Sequence, residues 1–94
     1  MSATVPRETL TNASPAAAGL ARLRAWAAAG SRVAITRTEP GRATTTLRGY
    51  VVRAHDAAEL FPGFVLMFHA DEGPTGLALP AAWPWTITPE EAPA

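Results

Sequence analysis

The sequence predicts a mainly β domain with one N-terminal helix, in which five short antiparallel strands form a small open barrel. Three observations carry that expectation. Residues 14–30 read as a sharply punctuated helix, residues 32–88 hold strand-like runs, and Pro-Gly turn signals separate them. The chain has 94 residues and no cysteine, so one domain is expected, with no disulfide and no thiolate metal site. A domain of this size buries only roughly 60% of its unfolded surface, so association with another copy is an obvious source of further burial.

Residues 1–13 mix Thr, Ser, Asn and Pro without periodicity and are read as a disordered arm. The folded domain is expected over residues 14–88, followed by a disordered tail over 89–94. Ser14 stands where a helix cap belongs, Pro15 fits the first turn, and Gly30 can end the helix in a left-handed conformation. At 100° per residue, Ala16, Leu20, Leu23, Trp26 and Ala27 form one apolar stripe, flanked by Arg22 and Arg24. The far side is alanine without charge, which suits either plain helix propensity or the close approach of another helix.

Residues 32–38 alternate, with Val33 and Ile35 on the core side. Glu39-Pro40-Gly41-Arg42 has Pro and Gly in the order of a type II turn. Residues 44–55 form a long β-rich run in which Gly49 marks a bulge or sharp bend. Phe61-Pro62-Gly63-Phe64 repeats the turn signal, and residues 64–69 form an apolar run expected to be buried on both faces beneath the helix. Asp71-Glu72-Gly73-Pro74 reads as a turn, and short strands at 76–79 and 85–88 complete the domain. Pro80 and Pro84 suit edges, because proline cannot donate to a ladder.

A helix followed by five strands, the second one bent, resembles the order of Sm-like proteins, and the strands alone are similar to SH3-like barrels. The stretch Arg48-Gly49-Tyr50-Val51-Val52-Arg53-Ala54-His55-Asp56 resembles the Sm segment in which a glycine and a hydrophobic residue precede an aspartate. Leu79-Pro80-Ala81-Ala82-Trp83-Pro84-Trp85-Thr86-Ile87 resembles its closing segment, without the basic closing motif of the bacterial proteins. The resemblance implies RNA binding and a ring oligomer.

Charge is unevenly distributed. All eight basic residues are arginines before residue 54; against Glu8 and Glu39 they leave residues 1–55 at +6. Residues 56–94 carry six carboxylates and no basic residue, hence −6, so a net charge of zero hides a bipolar chain. Alternation turns Arg32, Arg48 and Tyr50 outward beside Arg42, while Arg37 and Arg53 fall in phase with core residues. Guanidinium groups next to an aromatic ring suit single-stranded RNA or DNA, so Arg32, Arg42, Arg48, Arg53 and Tyr50 form the candidate nucleic-acid or anion site. The same charge split is self-complementary and suits head-to-tail docking, or it is absorbed by exposed pairs within the domain.

Catalytic chemistry has little support. The chain has no lysine, no nucleophile elbow and no phosphate-binding glycine loop. His55, Asp56 and Glu59 with His69 and Asp71 are the one set that metal or acid–base chemistry could use, provided their strand ends converge. Asp56-Ala57-Ala58-Glu59 equally has the form of a capping box, and Asp71 and Glu72 that of turn residues. Trp83, Trp85 and Ile87, set among prolines, suggest an apolar interface edge or a plug of the barrel bottom.

The leading expectation is a soluble, cytoplasmic, non-catalytic interaction module that binds itself or another protein, uses no cofactor and engages no membrane. RNA or single-stranded DNA binding is the alternative, and a metal-dependent enzyme using His55 and His69 the third.

Overall fold

The computed structural model describes residues 7–90; the rest of the expected arm and tail, 1–6 and 91–94, lies outside the described residues. Six antiparallel strands and one helix follow in the order β1 (Leu10–Thr11), α1 (Ala16–Ala29), β2 (Arg32–Thr38), β3 (Thr44–Asp56), β4 (Gly63–Ala70), β5 (Gly73–Pro80) and β6 (Trp85–Pro89). They form one open sheet in the order β1-β6-β2-β3-β4-β5. No described helix is long and apolar enough to cross a membrane.

The count of five strands is corrected by β1. Leu10 and Thr11, expected in a disordered arm, pair with Ile87 and Thr86, and Leu10 is fully buried. A single leucine can dock a strand of two residues because its side chain fills the core beside Gly19 and Phe64. At the other end Pro89 and Glu90, expected in the tail, are tied to the sheet: Pro89 pairs with Val33 and the Glu90 N–H donates to the Arg32 carbonyl.

The helix ends at Gly30 as its sequence implies, with φ at 64° and its N–H bonded to the Ala27 carbonyl. Its start differs. Pro15 holds the cap position, and the Ser14 hydroxyl instead accepts from the Thr11 N–H at 3.1 Å, closing the turn back to β1. Gly19, Leu23 and Trp26 make the buried face, while Ala16 is exposed. A Cβ on Gly19 would come within 3.0 Å of the Phe64 ring, so glycine there lets helix and sheet approach closely.

The run in β4 is buried on one face only. Phe64, Leu66, Phe68 and Ala70 enter the core, whereas Met67 and His69 are exposed and Val65 is half-buried. The helix covers the core face, and nothing among the described elements covers the other. In β3, Gly49 is a close-approach glycine rather than the bulge: the register shift falls between Val51 and Arg53. That insertion leaves Val52 and Arg53 both exposed, so Arg53 escapes the core phase that simple alternation assigns it.

The sheet curls until β5 meets β2 and β6 through side chains instead of a backbone ladder. Arg37 Nη1 donates to the Ala78 carbonyl at 2.9 Å, and its guanidinium lies 5.5 Å from the Trp83 ring centroid. Trp85 Nε1 donates to the Pro80 carbonyl at 3.0 Å while its ring meets Phe64 edge-on. Trp85 and Ile87 are therefore core residues and Trp83 a partly buried flank, which removes the first two from the expected apolar interface.

Candidate interaction surface

The solvent face of the sheet divides into two halves. On β1, β6, β2 and the start of β3 it is lined by threonines, whose hydroxyls pair across strands at Thr9–Thr88, Thr36–Thr46 and Thr38–Thr44. These side chains satisfy one another and remain hydrated. On the second half of β3 and on β4 the face is apolar and open: Tyr50, Val52 and Met67 are 41%, 50% and 50% exposed. Cross-strand register places Tyr50 against His69, Arg53 against Met67 and His55 against Val65. On β5 the next residues in those rows are Pro74, Gly76 and Ala78. These rows reach the sheet edge, with His69, Arg53 and His55 set among the apolar side chains.

At one end of the strip the arginines expected to meet an anion are met by carboxylates of the chain itself. Arg32 forms a two-pronged pair with Asp71, one prong at 2.7 Å, and its Nε bonds Glu90 at 2.9 Å. Arg48 Nε lies 3.3 Å from the other oxygen of Glu90. The Asp71 N–H also donates to the Arg48 carbonyl, so Asp71 is a structural clamp as well as a turn residue. Its hydrogen bonds with Arg32 hold the Asp71 carboxyl below its ordinary value, and Asp71 followed by Glu90 raises that of Arg32.

A depressed folded-state value sets the sign of the pH dependence. The clamp stabilises the fold fully above the ordinary aspartate value of 3.8 and is lost as pH falls through the lower folded value. Urea denaturation followed from pH 6 down to pH 2 is expected to show an acid limb that is shallower in Asp71→Asn. Equal limbs would remove the clamp from the account.

The remaining candidate residues scatter. Arg42 is exposed and pairs with Glu39 across the turn at 3.4 Å. Gly41 has φ at 78° and the Arg42 N–H bonds the Glu39 carbonyl, as a type II turn requires. Arg53 has no polar partner among the described residues and flanks Met67.

His55 pairs with Val65 of β4, four positions from His69 on the same strand, so the two imidazoles stand roughly 13 Å apart along it. Asp56 accepts from the Ala58 N–H at 2.8 Å as a local turn, and Asp71 is held by Arg32. No three His, Asp or Glu side chains converge on a metal position among the described residues. The chain matches no family model, no curated protein and no solved structure.

Sequence reasoning missed Met67, Val65 and Gly76. The signal was available in the alternation of β4, where Met67 and His69 share one parity and Phe64, Leu66 and Phe68 the other. A run of apolar letters obscures that parity.

Proposed function

We propose that the chain is a non-catalytic interaction module, built on an SH3- or Sm-like small barrel, that self-associates or serves as a subunit of a larger assembly. The observation that carries this reading is the exposed Tyr50–Val52–Met67 strip reaching an open β5 edge. Exposed apolar side chains clustered on two neighbouring strands, with strand groups unpaired beside them, favour a protein partner. Carboxylates already on Arg32 and Arg48 compete with phosphate at the positions a nucleic acid would need.

Light scattering at high protein concentration, in low and high salt, tests the reading. The expected mass exceeds one chain and falls to one chain in the double variant Val52→Glu, Met67→Glu, with an unchanged circular-dichroism spectrum. A single-chain mass for the wild type under both conditions defeats self-association. A salt-sensitive gel shift with single-stranded RNA that Arg53→Glu abolishes moves the function to nucleic acid.

A further inference from the structure

The backbone groups of β5 can be sorted into those that face β4 and those that face outward. Ala70 and Gly73 pair around the two-residue turn of Asp71 and Glu72, as the hydrogen-bonded pair closing such a hairpin. Odd-numbered residues of β5 then address β4, and even-numbered ones point away. Two further facts fix the same phase. The Ala78 and Pro80 carbonyls are taken by Arg37 and Trp85, neither of them on β4. Pro74 and Pro80, without N–H groups, both occupy outward positions. Among the described residues, what the edge leaves without a strand partner is the N–H of Gly76 and of Ala78 and the carbonyl of Pro74 and of Gly76, the last touched only by the exposed Thr75 hydroxyl at 3.4 Å, which leaves its second lone pair for a strand.

We propose that this edge pairs with the β5 edge of a second copy of the chain, antiparallel about a twofold axis at Gly76. The proposal rests on the interaction-module reading and names its partner. In this register Gly76 exchanges both backbone bonds with Gly76 of the second copy, and each Ala78 N–H meets the Pro74 carbonyl of the other. Every open donor finds an open acceptor. The missing N–H of Pro74 falls opposite the Ala78 carbonyl, which Arg37 already occupies. An axis at Leu77 instead would set Pro74 against Pro80 and ask the occupied Ala78 carbonyl to accept again.

Side chains agree with the backbone. A Cβ on Gly76 would meet nothing within 4 Å, and Met67 stands beside it on β4. Two Met67 side chains can therefore lie over the paired glycines. Glu72, which has no ion pair among the described residues, stands opposite Pro80 of the second copy and close to its Arg37, which has no carboxylate partner among them either. Among the described residues the other end of the sheet offers no comparable edge, because the two-residue β1 lies on β6. That disfavours the head-to-tail ring and leaves the twofold pairing.

The cysteine-free chain allows a direct test. Gly76→Cys places two thiols on a hydrogen-bonded pair whose Cα atoms lie about 5.5 Å apart, inside the roughly 4.4–6.8 Å that a disulfide spans. Mild oxidation is expected to convert most of it to a covalent dimer. Ala78→Cys should form no cross-link, since its twin is displaced about 13 Å along the strand. Gly76→Pro, which removes an outward N–H only, should reduce the native mass from two chains to one with the fold retained. A wild type that associates while Gly76→Cys fails to cross-link and Gly76→Pro keeps its mass overturns the twofold pairing and leaves the interaction-module reading standing. A wild type that is monomeric in every salt overturns both.

Discussion

Gly49→Ala is expected to destabilise the domain by about 2–4 kcal/mol, because it forces backbone strain and overpacking together. Gly49 sits buried on β3 opposite Ala70 of β4. A Cβ there would collide with the His69 carbonyl oxygen and lie 2.8 Å from the Ala70 Cα. Both obstacles are backbone, so no side-chain rotation relieves them, and β3 and β4 would have to separate. The loss is large against a total that runs at about 0.05–0.15 kcal/mol per residue. Gly76→Ala supplies the control within the same sheet. Its Cβ meets nothing, so its denaturation midpoint should move little, or rise slightly through the reduced freedom of the unfolded chain. Urea titrations giving the two variants equal midpoints would refute the close approach.

That contrast bears on what the sequence could reveal. Glycine in a strand has two common meanings, a bulge and a close approach, and the letters around Gly49 do not separate them. The bulge at Val52 carries no glycine, and it resets the phase of every later residue in β3. Arg53 therefore looked core-directed by alternation and is exposed in fact. Where phase was undisturbed, the reading held: β2 has the expected bounds, and Gly30 ends the helix.

The sequence named Arg32, Arg48 and Tyr50 at one end of the candidate surface but not Met67 or Gly76, and it did not show how the charges pair. Arg32 meets Asp71 and Glu90 across 39 and 58 positions of chain. Composition reports both charges, yet it gives no hint that sheet curvature brings three strand ends together. The bipolar charge pattern is thus partly spent inside the domain. Its unspent remainder at the β5 edge is Arg37 and Glu72, two residues the charge tally did not distinguish.

Leu10→Ala is expected to cost about 2–5 kcal/mol, the range for truncating a buried leucine. The argument starts from position: Leu10 precedes the helix, in a polar stretch with no strand-like run around it, yet no part of it is accessible. Its side chain contacts the space above Gly19 and lies among Phe64, Trp85 and Ile87. Truncation leaves a cavity between helix and sheet, and the lining residues are anchored from several strands and cannot all collapse into it. The short β1 then loses the anchor that holds it on β6, so the cavity and the frayed strand add. Thr9→Ala removes only an exposed hydroxyl contact with Thr88 and should shift stability by about 0.5 kcal/mol or less. Guanidinium denaturation of both variants, with the slope unchanged and the midpoint lowered in Leu10→Ala alone, is the expected result. A Leu10→Ala midpoint equal to the wild type would return residues 7–13 to a loose arm, and the β6 edge would be open for sheet extension.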